Sequence, residues 1–323
     1  MEFLDLLIIG GGPIGLNCAL EAEKHNLKYV IIEKGTIVNS LYHYPLYMRF
    51  FSTAERLEIA EIPFITTAPK PGRQDALEYY QGIARQRNLK INLYEEVVFV
   101  QKQEDSLFKV TTSKSVYLAK NIVVATGFYD IPKKLNIPGE NLPKVKHYYK
   151  EPYPFAQQKI VVIGASNSAV DAALETYRKG AEVTMIIRNS EISSSVKYWV
   201  KPDIENRISE GSIAAYFNAN ILEIKERSVI YQDSNGETHE IENDFVLAMT
   251  GYVPNFEFLT SMGINLVGDN LKPQYNPETM ETNVENIYLA GVVCGGLDTH
   301  LWFIENSRIH AKFILENILK KRG

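Results

Sequence analysis

Three glycines in the stretch LLIIGGGPIGL, namely Gly10, Gly12 and Gly15, have the spacing that lets a polypeptide hold a pyrophosphate. The first permits a tight turn, the second admits the phosphate close to the backbone, and the third lets a helix pack tightly on the preceding strand. The phosphate charge then rests on the free N–H groups and positive dipole end of that helix. Glu33 ends the next apolar strand 18 residues beyond Gly15, a place from which a carboxylate accepts hydrogen bonds from ribose hydroxyls. A second loop, GASNSAVD, keeps Gly164 and puts Ser166 and Ala169 where the other two glycines would stand. Its small residues, Ala165 among them, still allow close approach, and Ser166, Asn167 and Ser168 add donors for phosphate oxygens. The strand after it ends in Arg188. A carboxylate there would repel a 2′-phosphate, whereas a guanidinium grips one with two parallel bonds, so the sequence predicts NADPH over NADH at this loop. Lys197 lies on the following segment and could add charge.

The elements that must position these residues form a near-repeat. Asp5 to Lys34 and Lys159 to Asn189 each read as an apolar strand, a tight turn, an Ala-rich amphipathic helix and a second apolar strand. Continuous apolar strands fit a parallel sheet covered on both faces. The sequence therefore predicts an α/β protein with two interleaved Rossmann-like dinucleotide-binding domains, one for FAD and one for NADPH. Strands ending in Thr126-Gly127 and Thr250-Gly251, and a late strand in ENIYLAGVVCGG, place the second unit inside the first. The expected FAD domain is residues 1–118 plus 250–323, and the expected NADPH domain is 119–249. Hairpins are expected over Leu107 to Leu118 and over Ile221 to Ile241, the latter turning at Ser234-Asn235-Gly236. A terminal helix is expected from about Glu305 to Lys321.

Composition narrows the partners. The formal net charge is −5 and no basic stripe is present, which argues against nucleic acid. No stretch approaches the roughly 20 apolar residues of a membrane helix, and no targeting segment precedes the first strand, so a cytoplasmic protein is expected. The two cysteines, Cys18 and Cys294, form no CxxC, and the six histidines have no metal-ligand spacing, so no metal is expected.

The motifs Gly10-Gly11-Gly12-Pro13-x-Gly15, Glu33-Lys34, Ala125-Thr126-Gly127, Gly164-x-Ser166 and TNVENIYLAGV together resemble the pyridine nucleotide–disulfide oxidoreductases, in their small, thioredoxin-reductase-like branch. The stretches IIEKGTIVNSLYHYP, FFSTAERLEIAEIPF, NDFVLAMTGYVP and FIENSRIHA are similar to those of the bacillithiol disulfide reductase family. That resemblance implies bound FAD, NADPH as electron donor, a small disulfide or a small redox protein as partner, and a homodimer. It implies that Pro13, Ile14, Lys34, Ser52, Thr126, Gly127 and Gly291 join Gly10, Gly12, Gly15 and Glu33 around FAD. The chain departs from thioredoxin reductase in lacking a CxxC pair before the second loop, so a relay through a protein disulfide cannot run. It departs from the bacillithiol disulfide reductases at Ile14, where those proteins carry a cysteine that takes part in thiol chemistry. Val292 replaces the Asp that many related flavoproteins have after the glycine. The catalytic group is thus left unknown, with Cys294 and His310 as candidates. A ferredoxin- or flavodoxin-NADP reductase and a flavin monooxygenase-like enzyme remain alternatives.

Overall fold

The structure is a computed structural model and describes residues 2–104 and 106–322. Its contacts group into two compact units. The first holds the chain up to Tyr44, Met48–Ile131 and everything from Tyr252 onward. The second holds Pro45–Tyr47 and Pro132–Gly251. In chain order the elements that matter for function are β1 (Glu2–Ile9), α1 (Pro13–Lys24), β2 (Tyr29–Ile32), β3 (Val116–Val124), β4 (Lys159–Ile163), α2 (Asn167–Tyr177), β5 (Glu182–Ile187), β6 (Phe245–Ala248), β7 (Ile287–Leu289) and α3 (His310–Arg322).

In the first unit β1 lies between β2 and β3, parallel to both, and β7 pairs with β3. Ile91–Asn92 extends the sheet beyond β2. On the other side Phe108–Thr112 and Val97–Lys102 add an antiparallel hairpin. Leu6, Leu7 and Ile8 of β1 and Ile122, Val123 and Val124 of β3 are fully buried. That is why these strands read as unbroken apolar runs rather than alternating ones. α1 starts at Pro13, whose fixed φ and missing N–H suit the first helical position. Ile14, Leu16, Cys18, Ala19 and Ala22 form its buried side.

In the second unit five strands run parallel, in the order Ala214–Phe217, β5, β4, β6, Val145–Lys146. A separate antiparallel sheet joins Asn220–Ile224, Ser228–Gln232 and Thr238–Glu242.

Two expectations are corrected. The division falls after residues 131 and 251, not after 118 and 249. The stretch 119–124 belongs to the first unit because β3 runs through it as the direct neighbour of β1, with Leu6 opposite Asn121 and Ile9 opposite Val124. The terminal helix is not continuous. A short turn, Ile304–Ser307, precedes α3. The Arg308 carbonyl accepts from Asn17 Nδ2 at 2.7 Å, and its guanidinium donates to the Glu58 carbonyl at 2.8 Å, which holds this residue between the two segments.

Candidate functional site

The first glycine loop leaves β1 and enters α1. Gly10 has φ +108°, and a Cβ there would lie 2.5 Å from the Ala125 oxygen; one on Gly15 would lie 2.0 Å from the Gly10 oxygen. Both positions therefore exclude any side chain. Gly12 differs, because a Cβ there would meet no atom within 4 Å, and the same holds at Gly127. Helix geometry leaves the N–H groups of Ile14 and Gly15 without intrahelical acceptors. Open space before unsatisfied helix N–H groups fits a dinucleotide pyrophosphate.

Glu33 is buried and already serves the loop. Its Oε2 accepts from Gly11 N–H at 2.7 Å and its Oε1 from Gly35 N–H at 2.8 Å. Burial raises its pKa, opposed by these two bonds. Each carboxylate oxygen keeps a lone pair for a ribose hydroxyl. Val38 N–H donates to the Gly11 carbonyl at 2.9 Å from a left-handed backbone (φ 52°), unusual for a β-branched residue, so the segment after β2 also braces the loop. Lys34 pairs with Asp130 at 2.8 Å, linking the end of β2 to the chain beyond Gly127. Ser52 and Thr126 are half-buried.

Gly291 follows β7 and faces α1. A Cβ on it would lie 3.4 Å from the Ile14 side chain, which is 8% exposed. Gly291 N–H donates to His310 Nδ1 at 3.2 Å. Nδ1 is thus an acceptor and the ring proton sits on Nε2, which has no hydrogen-bond partner among the described residues. Cys294 Sγ lies 3.9 Å from the same Nδ1, and Trp302 packs edge-to-face on the imidazole. Burial lowers the His310 pKa to about 4, pushes the Cys18 thiol up to about 12, and lifts Cys294 well above the usual thiol range. A redox thiol acts as thiolate and needs access. Cys18 and Cys294 are fully buried and protonated at neutral pH, and His310 is neutral there. The candidates Cys294 and His310 do meet, as a buried pair beside Gly291.

The second loop repeats the plan with other chemistry. Gly164 has φ +128°, and a Cβ there would lie 2.6 Å from the Met249 oxygen. Ala169 is fully buried where the third glycine would stand. Ser166 is the N-cap of α2 with its hydroxyl uncommitted to the helix; it and Ser168 are exposed. Arg188, one residue past β5, is exposed, and among the described residues no side chain pairs with it. Lys197 does not supply a second cation, because it is 8% exposed and bound to Asp171 Oδ2 at 2.8 Å. Asn167 is also engaged: its Nδ2 donates to the Ser195 carbonyl at 2.9 Å and its Oδ1 accepts from Lys197 N–H at 3.0 Å. Sequence reasoning missed the segment that Asn167 holds; its one signal was the run Ser193-Ser194-Ser195. Asp233, Glu237 and His239 place ligand-type atoms within 4.8 Å of one another at a hairpin turn. Asp233 is occupied there, its Oδ1 accepting the N–H groups of Asn235 and Glu237.

Two glycine cradles, one closed by a carboxylate and one followed by a guanidinium that no side chain pairs with among the described residues, have the form of two dinucleotide sites. A family profile described as pyridine nucleotide-disulphide oxidoreductase matches residues 7–291. The chain is 42% identical to a bacilliredoxin reductase, Bdr, of Bacillus subtilis, over 98% of both sequences. It superposes on the bacillithiol disulfide reductase Bdr of Staphylococcus aureus with a TM-score of 0.97 at 42% identity, covering 100% of both chains. It is 30% identical to a thioredoxin reductase of Treponema pallidum over 90% of this chain and 88% of that one. The chain belongs to the pyridine nucleotide–disulphide oxidoreductase family. It is an oxidoreductase that uses FAD and NADPH, on the α/β, two-Rossmann fold of the thioredoxin-reductase-like flavoproteins.

Proposed function

We propose that the enzyme reduces a small disulfide of the bacillithiol disulfide kind with electrons from NADPH. The observation that carries this reading is the full-length likeness to bacillithiol disulfide reductase structures. When bound, FAD supplies the step between a two-electron hydride donor and the acceptor. The protein's own residues bind and orient. In the first unit Gly10, Gly12, Pro13, Ile14 and Gly15 form the pyrophosphate cradle of FAD. Glu33 receives its ribose, with Lys34 held beside it by Asp130. Ser52, Thr126, Gly127 and Gly291 complete that cavity. In the second unit Gly164, Ala165, Ser166 and Ser168 receive the NADPH pyrophosphate, and Arg188 its 2′-phosphate.

Ile14 fills the position of a thiol with a buried aliphatic group, and the two cysteines are enclosed. The acceptor disulfide is therefore reduced without a mixed disulfide to this chain. Among the described residues no helix is long and apolar enough to cross a membrane. The resemblance supports a cytoplasmic location and a homodimer; light scattering of the purified protein tests the dimer. An acceptor screen with NADPH tests the function: turnover with small disulfides supports it. Turnover only with ferredoxin, or only with oxygen, would replace it with one of the alternatives.

A further inference from the structure

In the second unit the chain leaves β5 at Arg188 and turns back toward the glycine loop. Ser193 N–H donates to the Ala165 carbonyl at 3.0 Å, so this segment touches the loop itself. Ile192 and Val196 on either side are buried, at 3% and 4% exposure. Lys197 is fixed to Asp171. Between these anchors the hydroxyls of Ser193 and Ser195 stand 2.7 Å apart on the surface, and Ser195 N–H donates to Ser193 Oγ at 3.2 Å. Asn167 spans from the start of α2 to this segment with both ends of its amide. An amide used only to bind phosphate would be turned outward; here one N–H and the oxygen are committed to the neighbouring backbone.

We infer that Asn167 is a positioning residue that holds the Ser193–Ser195 segment against the second glycine loop, so that these two hydroxyls join Arg188 around the 2′-phosphate of NADPH. The inference rests on the reading of this unit as the NADPH site. It explains how one exposed arginine gains a directional partner for a phosphate that has three acceptor oxygens. Hydroxyls held in place by backbone anchors donate to phosphate without the ordering cost of free side chains. The preference for NADPH over NADH is then set by Asn167 as well as by Arg188.

The test is calorimetric titration of the FAD-loaded enzyme with NADP+ and with NAD+, joined to steady-state kinetics. Asn167→Ala is expected to weaken NADP+ about tenfold, the worth of one charge-assisted hydrogen bond, and NAD+ by less than about threefold. KM for NADPH should rise by a similar factor while kcat stays within about twofold. The double variant Ser193→Ala, Ser195→Ala should show the same selective loss with the Asn167 amide intact, and it carries the test if Asn167→Ala fails to fold. Equal weakening of both nucleotides, or unchanged NADP+ binding in the serine variant, would overturn the proposal while leaving the NADPH reading intact. Wild-type enzyme that binds NAD+ as tightly as NADP+ would overturn the NADPH reading, and the proposal with it.

Discussion

His310 gives this fold a pH dependence that can be worked from its surroundings. The imidazole is 1% exposed and its Nδ1 is occupied by the Gly291 N–H. A second ring proton would put a donor against a donor in a site closed to water. The folded pKa is about 4, against an ordinary value of 6.5. A depressed folded pKa means that the unfolded chain takes the proton first. Stability is therefore complete above about pH 6.5 and is lost as pH falls toward 4. At pH 5 the unfolded state gains about 2 kcal/mol from this one group, from a shift of about 2.5 units at 1.36 kcal/mol each, less the part not yet realised at that pH. His310→Gln removes the proton site and keeps an acceptor for Gly291. Denaturant unfolding of both proteins at pH 8 and pH 5, in fixed excess FAD, isolates the residue from the carboxylates that titrate in the same range. The wild type should lose about 2 kcal/mol more than the variant between those pH values. Parallel losses within about 0.5 kcal/mol, or a His310 resonance that titrates near 6.5, would refute the reasoning.

Gly12→Ala should fold as well as wild type, because its Cβ meets open space, yet lose FAD affinity by about a hundredfold as the methyl takes the phosphate's place; apoprotein melting and flavin titration check both halves. Gly15→Ala, 2.0 Å from the Gly10 oxygen, should instead destabilise the apoprotein, read by the same melts. Cys18 and Cys294 should resist a thiol reagent in the native enzyme and react fully in denaturant, with both sites followed by mass spectrometry. Ile14→Cys should cost about 1 kcal/mol in packing and change kcat/KM for a small disulfide by less than about threefold; a gain of tenfold or more would show that the missing thiol limits the reaction.

The two βαβ units were legible because their signals are local. A glycine turn, an alternation of strand and helix, and a charged residue at a strand end all lie within about 30 residues, the size of the unit. Glu33 was marked this way as a strand-end acid, but its bonds to Gly11 and Gly35 depend on how the chain folds back. The domain boundary was misplaced because residues 119–124 are a strand like any other until β1 takes them as a neighbour. Lys197 looked like a free cation because Asp171, 26 residues earlier, is invisible as a partner. Asn167 looked like a phosphate donor for the same reason. At the break before α3 the Arg308 carbonyl is held by Asn17, 291 residues away. Cys294 and His310 were marked by residue type, and only burial reveals them as a closed pair. In each case the missing information was long-range contact, which no pattern within one segment contains.

The most direct measurement is an anaerobic titration of the FAD-loaded enzyme with NADPH, followed by oxidised bacillithiol. Flavin absorbance should bleach with about one equivalent of NADPH, since both cofactors exchange two electrons. Adding the disulfide should restore the absorbance with release of free thiol. Bleaching that the disulfide leaves unchanged, but that ferredoxin or oxygen reverses, would contradict the proposed activity.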